Sequence, residues 1–364
     1  MPYERDNIRR MHGYTYGEQP DAADVIKLNT NENPYPPSPA VGAALKSFDA
    51  TALRRYPQPT ADRFRALAAA RHGVSIDRVI VTNGGDELLR MAFTTFLDGG
   101  DVFGTTDPSY SLYSVLAEVQ GCKVTTVPLT DDDWDLPRDF AQRMNDLGAR
   151  LVCVVNPHAP TGVLIDADTI GDIANELDGV LLVDEAYVDF VDPALRHDVI
   201  NRVRAFDNVL LLRTLSKGYS LAGLRLGYGI GSPSLIEPML TKTRDSYNVD
   251  AIAQAVACAG FADLGYAANT WTEVRGERRR LRDALRSRGF TVPPSQTNFL
   301  LATPPIEGRG AAELYASLKA RGILVRYFDA ARLDDKLRIT VGDPQQNDHL
   351  LAAVDAIIAA PRQR

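Results

Sequence analysis

Cysteine is scarce in this chain. Cys122, Cys153 and Cys258 are the three cysteines among 364 residues, and none of them forms a CxxC pair or another metal-ligand spacing. This scarcity argues against a disulfide framework and against a structural zinc site. We therefore expect three reduced, mostly buried thiols, no bound metal, and a reducing compartment.

Long apolar segments and an excess of positive charge are also missing. No stretch approaches the ~20 apolar residues that cross a bilayer, and the charged first ten residues precede a polar stretch, so we expect neither a membrane span nor a signal peptide. Lys and Arg number 40 against 47 Asp and Glu, which argues against a nucleic-acid partner, because such proteins usually present a basic face. We expect a cytoplasmic protein.

Apolar residues are instead plentiful in short pieces. With 45% hydrophobic residues the chain can bury more than one ordinary core, and short runs of Val, Leu and Ile between helical patterns are typical of buried strands in an α/β sheet. The predicted helices are Ala61–His72, Glu87–Leu97 and Ser111–Gln120, and the predicted strands are Arg78–Thr82, Lys123–Val127, Leu151–Val155, Val180–Val183 and Val209–Leu212.

The composition changes near residue 270. Thr270–Arg288 is a strongly charged helical run, and Phe299–Ala302 and Ile323–Tyr327 are predicted strands of a separate, smaller domain. We interpret Arg278–Arg280 as a solvated helix face. Asp131–Asp133 is interpreted as an exposed turn, because no calcium-loop spacing follows it.

Three segments place polar residues at strand ends. TNGGDE at 82–87 opens a helix, where glycine allows a tight turn and free N–H groups attract an anion, although an ordinary turn gives the same pattern. VNPHAPTG at 155–162 fixes the amide of Asn156 in a Pro-rich loop. LLVDEAY at 181–187 ends an apolar strand in Asp184, which either faces a ligand at the sheet edge or caps a helix.

A fourth segment, TLSKGYSLAGLRLG at 214–227, is the most specific. Soon after a predicted strand it offers the hydroxyls of Thr214 and Ser216 and the amine of Lys217, and Arg225 follows after a glycine-containing step. It is not a P-loop, because GxxxxGK[ST] is missing, and GYGIG at 227–231 lacks the dinucleotide spacing. A nucleophilic lysine must be neutral, and burial beside positive charge lowers its pKa.

With LNTNENPYPPSP and LRITVGD, these motifs resemble fold-type I aminotransferases that depend on pyridoxal 5′-phosphate (PLP), and more narrowly the histidinol-phosphate aminotransferase family. The resemblance runs from about Asn7 to Val354. It implies an α/β fold with a three-layer α/β/α large domain at 41–270, and a smaller α+β domain formed by 1–40 with 271–364. It also implies a homodimer with shared active sites.

The resemblance assigns cofactor roles to particular residues. Lys217 would hold the PLP aldehyde and carry the proton, Asp184 would pair with the pyridine nitrogen, and Tyr110 would stack on the ring. Asn156 and Tyr187 would contact the ring 3′-oxygen, so that Lys217, Asp184 and Tyr187 form the implied catalytic set. The implied phosphate ligands are the main-chain amides of Gly85 and Asp86, the hydroxyls of Thr214 and Ser216, the guanidinium of Arg225 and the partner subunit's Tyr56.

The implied substrate contacts are Arg338, Arg326 and Tyr14. Arginine binds carboxylate or phosphate through a planar pair of hydrogen bonds, and the alternative for Arg326 is an ordinary charge at a strand edge. The chain departs from the family pattern at His158, where asparagine is common, and at Gly218, where alanine is common. His158 is either a loop histidine without function or a ligand in the substrate pocket.

The implied reaction converts L-histidinol phosphate and 2-oxoglutarate into imidazole-acetol phosphate and L-glutamate, a step of histidine biosynthesis. An aromatic amino-acid aminotransferase shares every cofactor motif. A phosphorylated-amino-acid decarboxylase and a PLP-binding regulator are further alternatives, although a regulator normally carries a DNA-binding module and no basic module precedes residue 41. The fold alone does not choose among these functions.

Overall fold

The computed structural model describes residues 3–20, 24–306 and 308–360. The strands in chain order are β1 (Ile26–Lys27), β2 (Val79–Thr82), β3 (Val102–Asp107), β4 (Lys123–Pro128), β5 (Ala149–Val155), β6 (Val180–Asp184), β7 (Val209–Thr214), β8 (Gly227–Gly231), β9 (Phe299–Ala302), β10 (Ile323–Leu324), β11 (Arg326–Tyr327) and β12 (Leu337–Thr340). The α-helices are α1 (Asp6–Arg10), α2 (Pro39–Ser47), α3 (Asp62–His72), α4 (Gly84–Phe96), α5 (Leu112–Gln120), α6 (Phe140–Asp146), α7 (Ala167–Glu176), α8 (Val199–Val203), α9 (Pro233–Pro238), α10 (Ala251–Ala262), α11 (Leu264–Arg286), α12 (Ala311–Lys319) and α13 (Pro344–Ala359).

Seven strands form the large sheet, in the order β2-β8-β7-β6-β5-β3-β4. β8 is antiparallel to both its neighbours, and the other pairs are parallel. The five strands predicted for this region are confirmed within two residues at each end, whereas β3 and β8 were missed. β8 has the sequence GYGIG, and its first glycine is required because a Cβ at Gly227 would lie 2.7 Å from the backbone of Gly84. The sequence of β8 is therefore rich in glycine and lacks the apolar run that identified the predicted strands.

Helices cover both faces of this sheet. Alternate residues of β6 belong to different core clusters: Leu181 and Val183 belong to the cluster that contains Phe64 of α3, whereas Leu182 belongs to the cluster that contains Leu88 of α4. Because successive side chains of a strand point to opposite faces, the sheet is the middle of three layers. The predicted α/β/α arrangement of the larger part is confirmed.

A second part of the chain has its own apolar core, built from α11 to α13, two small sheets and Leu28. Its sheets are an antiparallel β11-β12-β9 and a parallel β1-β10. The single predicted strand Ile323–Tyr327 was wrong, because the chain switches sheets at Val325: β10 pairs with β1, and β11 pairs with β12. The domain boundaries stay a prediction, and the one at 270/271 falls inside the continuous helix α11.

Arg278 corrects our interpretation of the charged helix. Arg279 and Arg280 are exposed, but Arg278 is 4% exposed and donates to the carbonyl oxygens of Phe190 and Thr297 at 2.9 and 2.7 Å. The run of arginines gave no sign of this, because the buried carbonyl groups belong to segments distant in the sequence. The residues of the Asp131–Asp133 turn are exposed, as predicted.

The three cysteines are free thiols, with Cys153 and Cys258 buried and Cys122 partly exposed. Among residues 3–20, 24–306 and 308–360, no helix taken singly has the length and apolar character to cross a membrane. Helices α10 and α11 reach that length and composition together, but they are bent by 72° where they meet.

Candidate active site

Lys217 lies just beyond β7, at the sheet edge where the neighbouring strand β6 ends in Asp184. Its Nζ donates to the carbonyl oxygen of Thr30 at 2.8 Å and lies 6.0 Å from the centre of the Tyr187 ring. Burial, followed by the charge of Arg338, lowers the pKa of Lys217 to about 8. A useful fraction of this amine is therefore neutral near neutral pH, as a nucleophilic lysine requires.

Asp184 is a buried carboxylate, 6% exposed, at the end of β6. Tyr113 donates its hydroxyl proton to Oδ2 at 2.8 Å, and the Ala186 N–H donates to Oδ1 at 3.1 Å. Burial raises the pKa of Asp184 to about 6, against the opposing effect of these hydrogen bonds. The alternative role as a helix cap is wrong, because the next helical turn begins only after Tyr187. The site suits a cationic ring nitrogen.

The start of α4 and the loop after β7 form a cradle for an anion. α4 begins at Gly84, three residues earlier than predicted, with φ +78°, and a Cβ there would lie 2.5 Å from the Arg225 guanidinium. Gly227 connects the two segments, because it pairs with Thr214 and packs against the backbone of Gly84. Only glycine leaves room for this close approach.

The donors around this cradle are those of a phosphate site. The Arg225 guanidinium lies 3.5 Å from the Asp86 carboxylate, and the buried Thr214 hydroxyl donates to Ser216 Oγ at 2.9 Å. Gly85 supplies a main-chain N–H in the first turn of α4, where free amides and the helix dipole favour an anion. The predicted phosphate ligands of this chain therefore fit the phosphate of PLP.

Tyr110 lies just before α5. It is close to Tyr113, the residue that donates a hydrogen bond to the Asp184 carboxylate. Its ring meets that of Tyr14 edge-on at 5.8 Å between centres, and that of Tyr113 at 5.4 Å. Burial raises the pKa of Tyr110, so the phenol stays neutral. Tyr110 interacts with Tyr187, the tyrosine whose ring lies 6.0 Å from Lys217 Nζ, and its stacking on the PLP ring stays a prediction.

The amide of Asn156 is occupied by its own loop. Nδ2 donates to the Ile165 carbonyl oxygen and Oδ1 accepts from the Ile165 N–H, both at 2.9 Å. One hydrogen on Nδ2 remains for other partners, and His197 Nε2 is 3.5 Å away. The structure thus gives Asn156 a clear role in shaping the Pro-rich loop, while its predicted contact with the ring oxygen stays a prediction.

Tyr187 is buried, and its hydroxyl oxygen accepts from Asn31 Nδ2 at 2.9 Å. Its own proton therefore remains available to donate. Burial raises the pKa of Tyr187, so it keeps that proton. Sequence reasoning missed Asn31, which adopts φ +57° and donates from its backbone to Thr340 Oγ1 at 3.0 Å. Its signal was an asparagine in a turn-rich segment, a residue type that tolerates this conformation.

Arg326 and Arg338 face each other directly across β11 and β12. Their guanidinium carbons lie 5.3 and 5.4 Å from the centre of the Phe328 ring. Arg338 donates to the Asn29 carbonyl oxygen at 3.0 Å, while its buried Nε has no hydrogen-bond partner among the residues that the structure describes. Like charges placed opposite each other weaken a sheet, so this pair is expected to need an anion.

The N-terminal arm reaches the same place. The Arg326 guanidinium donates to the carbonyl oxygens of Thr15 and Tyr16 at 3.3 and 3.4 Å. Tyr14 is partly exposed and contacts the Tyr110 ring. The three predicted substrate residues are thus brought together with the predicted stacking tyrosine.

Two predicted positions lie apart from these contacts. His158 is 1% exposed, with its ring nitrogens 3.2 and 2.9 Å from the hydroxyls of Thr106 and Thr161, and burial lowers its pKa to about 4. It is a neutral histidine that anchors its loop, which favours the interpretation without a ligand role. Tyr56 is 79% exposed and stacks on Tyr247, with 4.4 Å between ring centres.

Similarity to known proteins agrees with this geometry. Residues 23–354 match the model of the aminotransferase class I and II family. The chain belongs to this family. The aminotransferase is 43% identical over 353 residues to histidinol-phosphate aminotransferase 1 of Trichormus variabilis, covering 97% of this chain and 98% of the relative. Histidinol-phosphate aminotransferase of Geobacter sp. (strain M21) is 40% identical over 353 residues, covering 96% and 97%.

Solved structures show the same fold. Histidinol-phosphate aminotransferase from Sinorhizobium meliloti, crystallised with pyridoxal-5′-phosphate, has a TM-score of 0.89 and 25% identity, covering 98% of both chains. An aspartate aminotransferase variant from Thermus thermophilus has a TM-score of 0.81 at 18% identity, covering 98% of this chain and 100% of its own, and so shows the fold alone. The predicted family and the fold-type I architecture of this aminotransferase are confirmed.

Proposed function

We propose that this aminotransferase binds PLP at Lys217 and transfers the amino group of L-histidinol phosphate to 2-oxoglutarate, yielding imidazole-acetol phosphate and L-glutamate, in the histidine biosynthesis of the cytoplasm. The pairing of Arg326 with Arg338 on adjacent strands carries the choice of substrate. A phosphate dianion can neutralise both guanidinium groups, whereas the single carboxylate of an aromatic amino acid cannot. The names of relatives about 40% identical support the same choice.

Each residue then has a defined task. PLP, when bound, supplies an electron sink for the electrons of the substrate Cα–H bond. Lys217 Nζ holds the cofactor and, once released, moves the proton at substrate Cα. Asp184 would stabilise positive charge at the ring nitrogen, and Tyr187 would donate to the ring oxygen, since its own oxygen accepts from Asn31 and its proton is left to donate. Tyr110 covers one face of the ring.

Replacing Arg326 with alanine is expected to lower kcat/KM for histidinol phosphate about ten- to a hundredfold, because a charge-assisted hydrogen bond contributes about 1.5–3 kcal/mol. The half-reaction with glutamate, which carries no phosphate, should change much less. Single-turnover absorbance traces with each donor separate the two half-reactions. Arg321→Ala, at an exposed site before β10, is the matched control and should alter neither. Equal losses with both donors would contradict the phosphate role of Arg326.

We further propose a homodimer in which the partner subunit's Tyr56 completes the phosphate site. The Tyr56 and Tyr247 rings form an exposed aromatic pair, and Leu53 nearby in the sequence is also largely exposed. Contiguous exposed apolar surface of this kind often marks a protein interface. In a dimer with two-fold symmetry, each subunit makes the same contact with its partner. Tyr56 of each subunit would then reach the phosphate site of the other, so both sites would be completed.

Two inactive chains should therefore restore activity when mixed. In a hybrid of Lys217→Ala with Tyr56→Ala, one of the two sites keeps both native side chains, so random exchange should recover about a quarter of wild-type activity. Mixing Lys217→Ala with Asp184→Asn is the matched control and should recover none, because both residues come from the same chain. Absence of recovery with the first pair, after subunit exchange is verified by mass spectrometry, would count against shared sites.

A further inference from the structure

We propose that Tyr113 is a positioning residue for the cofactor: its hydroxyl keeps the Asp184 carboxylate ionised and aimed at the ring nitrogen, while its ring supports Tyr110. Tyr113 would then position both Asp184, which contacts the nitrogen of the bound ring, and Tyr110, which stacks on the face of that ring. The inference depends on the proposed role of Asp184 as the partner of the pyridine nitrogen.

The geometry at the carboxylate supports the first half of this role. Tyr113 is fully buried in the first turn of α5, and its hydroxyl lies 2.8 Å from Asp184 Oδ2. The other oxygen accepts from the Ala186 N–H at 3.1 Å. With one donor on each oxygen, the carboxylate cannot rotate without losing a hydrogen bond. Its remaining lone pairs are left for a cation in the cleft.

Aromatic packing supports the second half. Tyr113 follows Tyr110 by three residues, and the two rings meet nearly perpendicular, at 86°, with 5.4 Å between centres. On its other side the Tyr113 ring packs against Phe103 of β3, which contacts Phe93 of α4 at 4.7 Å. This chain of ring contacts anchors Tyr110 to the core of the large sheet.

The hydrogen bond from the Tyr113 hydroxyl helps to keep Asp184 ionised in surroundings that favour its protonation. Burial raises the pKa of Tyr113 well above 10, so the phenol donates at every physiological pH. Two further carboxylates, Asp86 and Glu185, favour the protonation of Asp184, and the nearby Cys153 and Tyr187 are neutral because their own pKa values are raised. Removing the phenol should therefore raise the pKa of Asp184 further above its ordinary value, and a protonated Asp184 would no longer attract a ring cation.

Tyr113→Phe tests this directly, because it keeps the ring and removes the hydroxyl. We expect the full-length variant to bind PLP about ten- to a hundredfold more weakly in fluorescence titrations at neutral pH. The pH below which affinity falls should also move upward, since Asp184 would take up its proton sooner. Tyr228→Phe is the matched control: it removes another buried hydroxyl, which lies 2.9 Å from His72 Nε2. Its PLP affinity should match that of the wild type.

A double-mutant cycle separates positioning from a general structural role. In an Asp184→Asn background, Tyr113→Phe should cause little further loss of PLP affinity, because the two residues act through one interaction. The same loss in both backgrounds would show a structural role only and would overturn the proposal. Wild-type affinity and pH dependence in Tyr113→Phe alone would also overturn it. Wild-type PLP affinity in Asp184→Asn alone would instead remove the proposed role of Asp184, and this inference with it.

Discussion

A Lys217→Ala chain is expected to lose nearly all amino transfer, at least about a thousandfold in kcat, since a positioned proton-transfer group alone contributes about 10²–10⁴. The loss should also include covalent attachment of PLP. The structure gives the reason: burial and the charge of Arg338 lower the pKa of Lys217 to about 8, next to the cradle formed by α4 and Arg225. An alanine supplies neither the nucleophile nor the proton carrier.

Borohydride reduction followed by peptide mass mapping measures this attachment. In the wild-type protein the reduced PLP should be found on Lys217. Lys123→Ala, on the exposed edge strand β4, is the matched control and should keep both colour and activity. Lys27 is the informative competitor, because its ammonium bonds to Glu32 within the same loop that contacts Lys217. Trapping of PLP on Lys27 in the wild-type protein would contradict the assignment.

Asp184→Asn is expected to lower kcat about a hundredfold or more while the fold is preserved. Removing one partner of a buried charge pair typically costs about 3–5 kcal/mol, and each 1.36 kcal/mol is a factor of ten in rate. The amide keeps the shape of the carboxylate and can still accept from Ala186 or Tyr113. The loss should therefore appear in the chemistry and in PLP binding rather than in folding.

In the protein without PLP, Asp184→Asn should not lower the stability, although it lowers kcat in the enzyme with PLP. Burial raises the pKa of Asp184 from 3.8 to about 6, so the folded chain binds this proton more tightly than the unfolded chain. The stabilisation is present below the unfolded pKa and is lost as the pH rises through about 6. At neutral pH the ionised carboxylate is thus a cost that asparagine does not carry, and thermal unfolding of PLP-free Asp184→Asn should occur at the wild-type temperature or above. A lower unfolding temperature, with wild-type turnover, would show that Asp184 acts only in folding.

Much of the large sheet could be predicted because its strands are runs of apolar residues buried on both faces. β8 could not be predicted in this way, since Gly227 and Gly229 face the closely packed α4, a contact between segments far apart in the sequence. The division of Ile323–Tyr327 at Val325 was missed for a similar reason. Apolar patterning indicates that a segment is buried, but not which strand it pairs with.

The candidate active site also contains residues that the sequence predicted and residues that it did not. Lys217 and Asp184 follow apolar strands, so position in the sequence pointed to a common sheet edge. Asn31 and Tyr113 come from elsewhere in the fold and hydrogen-bond to Tyr187 and Asp184, respectively, and a lone asparagine or tyrosine carries no motif. Asn156 stood in a recognisable motif, yet its amide bonds to the Ile165 backbone, which only the folded loop reveals.

A comparison of amino donors tests most directly whether L-histidinol phosphate is the substrate. Wild-type enzyme with 2-oxoglutarate should show a higher kcat/KM for L-histidinol phosphate than for phenylalanine, tyrosine or histidine. The expected difference is at least about tenfold, the effect of one charge-assisted hydrogen bond between the Arg326–Arg338 pair and phosphate. A higher kcat/KM for phenylalanine or tyrosine would contradict the histidinol-phosphate assignment and identify an aromatic aminotransferase.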